Sequence, residues 1–386
     1  MTSLVQLNDV QQQAVDRAIA VIQQEIAPNA SRIDASNEFP ENMIRGLGAH
    51  GLLGLPFPTR YGGAELDFVT YVCVLEEMAK VSGTTAATVD AHTTMVGLPV
   101  LLFGSEQQRE KYLPRLTSGD ALGGFALTEP NAGSDIAGIE TTADRDGDNY
   151  VLNGNKALIA NANCGDLFVV AAKTAPDRGM LGISVFVIEA NTEGFRPTGT
   201  HETTLGMRGT DLGGLVFENA VIPKENLLGR EGFGLKVLHD TLVADRIATA
   251  SIGLGLAEAA QSHSVAYAKQ REQFGKPISQ FESVKNMLAD MEVGISAARL
   301  LVREAATVRE NGTDATRIAS VAKLFSSEMA MRVTKDAIQI HGGWGYTQNY
   351  PVERFFRDAK HTELVDGTSE IQRLLIADET LKLHPR

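Results

Sequence analysis

Three aspartates in this chain of 386 residues could carry out acid–base chemistry. Asp366 lies near the C-terminus in the segment Leu364–Arg373, Asp245 directly precedes Arg246, and Asp90 lies in the first third of the chain. A carboxylate acts as a general base when it is held within hydrogen-bonding reach of the proton that it removes. The three acids are therefore candidate bases, and the elements that carry them must bring at least one of them to a substrate.

The sequence predicts three domains: an N-terminal helical domain at 1–121, a β domain at 122–233 and a C-terminal helical bundle at 234–386. In the outer two, apolar residues recur at steps of three and four, as they do along Val284–Val302. In the middle, short runs rich in β-branched residues, such as Leu167–Ala172, alternate with clusters of Gly, Asn, Asp and Pro. This order predicts an α+β fold whose middle domain is an antiparallel sheet.

Composition and charge exclude several classes of protein. Hydrophobic residues at 43% and charged residues at 22% are typical of a folded globular chain rather than a disordered one. A net charge of -13 argues against a nucleic-acid partner, because phosphates would be repelled. We expect no membrane span and no signal peptide, hence a cytoplasmic protein. Cys73 and Cys164 match no metal-ligand spacing, which predicts buried, reduced thiols and no metal site.

Five parts of the chain resemble the signatures of the acyl-CoA dehydrogenases, which are flavoenzymes that desaturate thioesters. They follow one another in the order in which the family has them. The segments are Phe125–Asp135, Leu205–Gly209 with Val221–Gly229, Arg271–Gly275, Gln339–Tyr346 and Leu364–Arg373. The resemblance implies a C-terminal four-helix bundle, an FAD cofactor, an acyl-CoA substrate and an electron-transferring flavoprotein as electron acceptor. It also implies a homotetramer built as a dimer of dimers.

The same resemblance assigns roles to individual residues. Thr128 and Ser134 would offer polar groups to the flavin and its phosphates, and Arg271 would neutralise pyrophosphate charge across a subunit interface. The implied cofactor-binding set is Thr128, Ser134, Leu158, Ala160, Arg271, Phe274, Gln339, Gly342, Gly343, Thr368 and Glu370. The implied substrate-binding set is Ser134, Arg246 and Gly367, the last through a backbone donor to the thioester carbonyl.

The chain departs from the family pattern at several of these positions. Asp366 stands where most relatives have the glutamate that removes the α-proton, and Asp245 matches the catalytic glutamate of isovaleryl-CoA dehydrogenase. Leu158 and Ala160 replace a tryptophan and a threonine that contact the flavin in relatives. We predict Asp366 as the base with Asp245 as second choice, and Asp90 as a possible second proton acceptor.

The predicted activity is α,β-desaturation of a short, branched or cyclic acyl-CoA with Asp366 as base. One alternative is a ring-oxidising dehydrogenase, as proposed for relatives that act on cyclohexene carboxyl-CoA, which would use Asp90 as well. Another is a non-redox lyase or desulfinase of the same fold. A third is a scaffold without cofactor. A yellow purified protein would exclude the scaffold, and bleaching of its flavin by an acyl-CoA would separate a dehydrogenase from a lyase.

Overall fold

The computed structural model describes residues 7–383, in which helices come first and last and strands lie between them. The helices are α1 (Asp9–Val21), α2 (Ala30–Ser36), α3 (Glu41–Gly46), α4 (Phe68–Val81), α5 (Gly83–His92), α6 (Leu98–Phe103), α7 (Glu106–Ser118), α8 (Gly234–Gln270), α9 (Glu282–Glu310), α10 (Thr316–His341), α11 (Val352–Leu364) and α12 (Ser369–Leu383). The strands are β1 (Gly123–Ala126), β2 (Thr142–Asp146), β3 (Asn149–Ala160), β4 (Leu167–Lys173), β5 (Ile183–Glu189), β6 (Phe195–Pro197), β7 (Leu212–Pro223), β8 (Glu272–Gln273) and β9 (Lys276–Pro277). The predicted fold class is confirmed.

In the N-terminal region, α5 continues through one π-helical turn, Thr93–Gly97, into α6. By length and composition this stretch, Gly83–Phe103, could cross a membrane, which the sequence analysis did not anticipate. However, 72% of its most apolar window is buried inside the fold, as in the core helix of a globular protein. The π turn lies directly after the helix that carries Asp90, and such turns occur often at functional sites.

The sheet of the middle region is mixed rather than antiparallel, which corrects one part of the prediction. Strand β1 pairs in parallel with β4, and one residue of β2 also pairs in parallel with β4. The other pairings within this sheet are antiparallel. Parallel neighbours need a long connection, and the β2–β3 hairpin lies within the one that joins β1 to β4. No local pattern in the sequence reports which strand returns beside β1.

The C-terminal helices pack on one another and on the N-terminal helices. The predicted stripe along Val284–Val302 lies on α9, where Val284, Met291, Ile295, Ala298 and Val302 are buried. Helix α8 runs through the shared core next to α4. At Gly255 a Cβ atom would come within 2.2 Å of the Glu76 carbonyl oxygen, so this glycine permits the close approach of α8 to α4.

The segment Arg271–Gly275 forms a small hairpin from β8 and β9. Its two-residue turn consists of Phe274 and Gly275, both with positive φ (52° and 76°), as a type I′ turn requires. The Phe274 side chain is 93% exposed. The two thiols are free, as predicted, but Cys164 is only half-buried whereas Cys73 is buried. The predicted domain boundaries stay predictions.

Candidate active site

The three aspartates come from three different elements and meet in the core between the outer regions. Asp90 lies on α5, Asp245 on α8, and Asp366 in the loop between α11 and α12. Asp90 and Asp245 are 4% and 1% exposed, and Asp366 is half-buried. Burial and the charge of Asp366 raise the pKa of both Asp90 and Asp245, and Asp245 interacts with Asp90 through hydrogen bonding as well, so the three carboxyl groups form one cluster. We call it the aspartate cluster.

Side chains from neighbouring helices fix the loop that carries Asp366. Asp366 has a positive φ of 57°, a conformation that aspartate tolerates better than most residues, and Gly367 follows at 92°. The Gln372 amide donates to the carbonyl oxygens of both residues at 3.0 and 2.8 Å. Lys323 Nζ donates to the Gly367 carbonyl at 2.8 Å, and Arg246 Nε donates to the Asp366 carbonyl at 3.2 Å. These contacts hold the backbone at Asp366 and Gly367 and thereby fix the direction in which the Asp366 side chain leaves it.

The carboxylate of Asp366 has one direct hydroxyl partner, which the sequence analysis missed. Thr249 Oγ1 donates to Asp366 Oδ2 at 2.6 Å, and Thr249 is itself buried. Thr249 follows Asp245 by four residues, so both lie on one face of α8. That spacing was the one available sequence signal for this residue. The sequence contained no comparable signal for Lys323, which is simply a lysine within the helix Thr316–His341.

Replacement of Thr249 by valine is expected to slow flavin reduction by about 10- to 100-fold, because Asp366, the predicted base, loses a charge-assisted hydrogen bond that holds one of its oxygens. Serine at the same position retains the hydroxyl and should keep most of the rate. The measurement is anaerobic stopped-flow reduction of the flavin at saturating acyl-CoA. Equal rates for Thr249→Val and Thr249→Ser would show that the hydroxyl has no role.

Asp90 is a buried acid with a hydroxyl network around it. Tyr71 Oη donates to Asp90 Oδ1 at 3.3 Å and lies 2.9 Å from Thr94 Oγ1. Burial raises the pKa of Asp90 to about 7, and the charge of Asp366 acts in the same direction, whereas the hydrogen bond from Thr94 opposes the shift. A carboxyl group with this pKa can take up or release a proton near neutral pH.

Asp245 is almost fully buried and interacts with both of the other acids. Burial raises the pKa of Asp245 well above its ordinary value, and the negative charges of Asp366 and Asp90 raise it further. Two cations face the cluster. Burial lowers the pKa of Lys323 to about 8 against the opposing charges of Asp366 and Asp245, and burial also lowers the pKa of Arg246.

Four of the predicted flavin-contacting residues lie in or near β3 and the loop that follows β1. The carbonyl of Thr128, just after β1, accepts from the Ala157 amide of β3 at 2.9 Å. Next to this bond the register of β3 shifts, and Leu158 takes a positive φ of 55° that leaves its apolar side chain 60% exposed. Such a bulge redirects a side chain out of the sheet. Ser134 is exposed and Ala160 is half-buried.

A buried ion pair anchors the loop that carries Thr128 and Ser134. Lys156 Nζ on β3 donates to Glu129 Oε1 at 2.7 Å and to the Leu127 carbonyl at 3.1 Å. The side chains of this pair are 0% and 4% exposed. Glu129 also accepts from the backbone amides of Glu140 and Thr141, so one carboxylate joins both ends of the loop.

The Arg271 and Gln339 segments meet at a surface cavity of about 550 Å³. Its lining contains Tyr267, Arg271, Gln273, Ile278, Ile340, His341, Gly342, Gly343, Trp344 and Thr347. Two predicted cofactor residues, Phe274 and Gln339, are not part of this lining, and neither is any residue of the aspartate cluster. Thr368 and Glu370 lie elsewhere again, at the start of α12, where Thr368 Oγ1 accepts from the Ile371 amide at 3.5 Å.

The polar groups of the cavity suit FAD, the cofactor that the resemblance implies. His341 Nδ1 donates to the Ala337 carbonyl at 2.8 Å, which leaves Nε2 as an acceptor, and this buried nitrogen has no partner among residues 7–383. Gly342 and Gly343 have nothing within 4 Å of a would-be Cβ, and Arg271 supplies a cation for phosphate. Ribityl or ribose hydroxyl groups can donate to Nε2. The exposed Leu158 would offer the flavin ring an apolar contact.

Comparison with known proteins gives a consistent result along the whole chain. Models of the acyl-CoA dehydrogenase N-terminal, middle and C-terminal domains match residues 8–120, 124–220 and 232–381. An acyl-CoA dehydrogenase of Bacillus subtilis is 46% identical over 92% of this chain and 93% of its own length.

Two solved structures are similar over nearly their full length. Butyryl-CoA dehydrogenase from Megasphaera elsdenii superposes with a TM-score of 0.95 at 40% identity, covering 97% of this chain and 99% of that one. A chain from a structure of the electron transferring flavoprotein of Acidaminococcus fermentans, from work on flavin-based electron bifurcation, has a TM-score of 0.96 at 40% identity. The match covers 98% of this chain and 99% of that one.

Proposed function

This chain belongs to the acyl-CoA dehydrogenase family, a family of FAD-dependent oxidoreductases, and we propose that it desaturates a short, branched or cyclic acyl-CoA with Asp366 as the base. The observation that carries the proposal is the loop at Asp366 and Gly367. Lys323 holds its backbone, and Thr249 orients the Asp366 carboxylate. The scaffold alternative is wrong, because the family is one of enzymes that bind FAD.

The residues of the site divide the reaction between them. Asp366 would remove the proton from Cα, and because Thr249 binds Oδ2, Oδ1 would receive that proton. The Gly367 amide would donate to the thioester carbonyl, where negative charge develops. Thr128, Ser134 and the partner subunit's Arg271 would hold FAD, which would supply the acceptor for the hydride that leaves Cβ as the double bond forms. Arg246, with its guanidinium beside the loop, would contact the carrier arm of the substrate.

The length of the base favours a bulky acyl group. Aspartate is shorter than glutamate by one carbon–carbon bond, about 1.5 Å, and misplacing a reacting group by about 1 Å costs on the order of 100-fold in rate. A linear acyl chain seated as in a glutamate enzyme would leave its α-proton too far from Asp366. A branched or cyclic group fills more of the pocket and places Cα nearer to the shorter acid.

We therefore expect cyclohexanecarboxyl-CoA or isobutyryl-CoA to reduce the flavin faster than butyryl-CoA does. Asp366→Glu should reverse that order by restoring reach towards a linear chain. Anaerobic bleaching of the flavin over this panel is the measurement, and the same assay separates a dehydrogenase from a non-redox lyase or desulfinase. If butyryl-CoA is the fastest substrate and Asp366→Glu improves none, the short base does not select the substrate.

A ring-oxidising reaction is the second candidate, and the position of Asp90 favours it. Asp90 is buried in the aspartate cluster with its pKa raised to about 7, so it could accept a second proton. Asp90→Asn should then slow reduction by an unsaturated ring substrate more than reduction by isobutyryl-CoA. An equal effect on both substrates would remove this candidate.

The assembly and the electron acceptor complete the proposal. We propose a dimer of dimers, because the Arg271 hairpin and the segment after α10 expose large aromatic side chains beside the cavity: Phe274 at 93%, Trp344 at 51% and Tyr346 at 86%. Electrons would leave through an electron-transferring flavoprotein, in keeping with the structural neighbour from Acidaminococcus fermentans. We retain the cytoplasmic placement as part of the same proposal.

A further inference from the structure

We propose that Asp245 is a neutral carboxylic acid in the resting enzyme and donates a hydrogen bond within the aspartate cluster, so that it positions the base instead of acting as one. This inference rests on the proposed role of Asp366. Asp245 would then be a residue that positions Asp366, and not an alternative base.

The surroundings of Asp245 carry the first step of the argument. Its side chain is 1% exposed, and its Oδ2 has no hydrogen-bond partner among the described residues. Among the described residues, the carboxyls of Asp366 and Asp90 act on the Asp245 side chain through hydrogen bonding as well as through charge. An ionised carboxylate is an acceptor only, so two ionised groups could not bind each other. A hydrogen bond between two of these carboxyls therefore requires a proton on one of them. Asp366 accepts from Thr249 and Asp90 accepts from Tyr71, so Asp245 is the acid best placed to carry that proton.

The balance of charge carries the second step. Arg246 and Lys323 are the cations that face the cluster, with 7% and 0% exposure. Three ionised carboxyls would leave a net negative charge in a region with almost no access to solvent, which is costly. One proton on the cluster restores neutrality with both cations charged. Asp366, the most exposed of the three acids and the one bound by Thr249, is the best placed to stay ionised.

Several elements contribute charged or titratable groups around Asp245. They are Tyr71 from α4, Asp90 from α5, Arg246 from α8, Lys323 from α10 and Asp366 from the α11–α12 loop. Burial, with the charges of Asp366 and Asp90, raises the pKa of Asp245 well above its ordinary value, so this acid keeps its proton to higher pH than an exposed aspartate does and loses it as pH rises further. The loss removes a donor from the cluster and adds a third negative charge beside the site where charge develops in the reaction.

Infrared spectroscopy of the flavin-loaded enzyme tests the protonation directly. Labelling aspartate side-chain carboxyls with carbon-13 separates their bands from flavin carbonyl bands. At about pH 7.5, above the pKa of about 7 for Asp90 and below the pKa of about 8 for Lys323, we expect one main carboxylic-acid C=O band that shifts in heavy water. Asp245→Asn should remove it, whereas Asp90→Asn should leave it. No such band in the wild type, or a band that survives in Asp245→Asn, would overturn the inference.

The pH profile of flavin reduction tests the consequence. Asp245→Asn retains a neutral donor, so at neutral pH it should lose less than about 10-fold in rate. We expect the rate of the wild type to decline at high pH and the rate of Asp245→Asn not to, because asparagine cannot ionise. Asp245→Ala removes the donor and should lower kcat while the substrate Kd stays unchanged. The matched control is Asp240→Asn, an Asp-to-Asn change on α8 at a half-buried side chain that pairs with Lys236 rather than with the cluster.

The two proposals fail in different ways. If Asp245→Asn is as inactive as Asp366→Asn, Asp245 is catalytic, and the assignment of the base is wrong as well. If wild-type and Asp245→Asn profiles share the same decline at high pH, only this inference fails, and bleaching by acyl-CoA still supports the dehydrogenase. If Asp245→Asn does not fold, the labelled band in the wild type and in Asp90→Asn decides the matter.

Discussion

Replacement of Asp366 by asparagine is expected to slow flavin reduction by about 10²–10⁴-fold, the contribution typical of a positioned general base. Asparagine is close in shape and can still accept from Thr249, so the fold and the flavin should remain, but it cannot take a proton. Absorbance of bound flavin reports the cofactor, and anaerobic stopped-flow reports the reaction. Binding of acyl-CoA, measured by its perturbation of the flavin spectrum, should change little.

Asp378→Asn is the matched control, since Asp378 lies exposed on α12 a few turns beyond the same loop. It should react as the wild type does. If Asp366→Asn reduces its flavin at more than about a tenth of the wild-type rate, another group removes the proton. An inactive Asp245→Asn beside an active Asp366→Asn would transfer that role to Asp245.

Replacement of Lys156 by methionine is expected to lower the free energy of unfolding by about 3–5 kcal/mol, because it leaves the buried Glu129 carboxylate without its cation. Glu129 joins both ends of the loop that carries Thr128 and Ser134, so flavin affinity should fall too. Chemical denaturation of the cofactor-free protein and titration with FAD measure the two effects separately.

Lys111→Met is a control of the same chemistry in a different environment. Lys111 pairs with Glu189 at the same 2.7 Å distance, but its side chain is 53% exposed. Exposed pairs contribute at most about 1 kcal/mol, so this variant should be nearly as stable as the wild type and bind FAD normally. Equal losses in the two variants would mean that burial of the Lys156 pair contributes nothing to stability.

The sequence by itself determined the class of the fold and the family. The apolar period along Val284–Val302 follows from the helix repeat alone, and these residues are buried on α9. The short β-branched runs are strands, because the strand period is also local. The spaced signatures from Phe125 to Arg373 identified the family through residue types that chemistry restricts, and the last of them contains Asp366. Asp245 and Asp90 were predicted from single positions outside these segments.

Only the tertiary structure decided which groups act on those acids. Thr249 reaches Asp366 across 117 positions in the chain, and Lys323 reaches the Gly367 carbonyl across 44. The parallel pairing of β1 with β4 is of the same kind, since it depends on a partner distant in sequence. The spacing of residues along the chain predicts on which face of its helix or strand a residue lies. It does not predict which element, distant in sequence, packs against that face. Burial, charge balance and the proton on Asp245 depend on those distant partners, because the electrostatic free energy of a carboxyl group is set by everything packed around it.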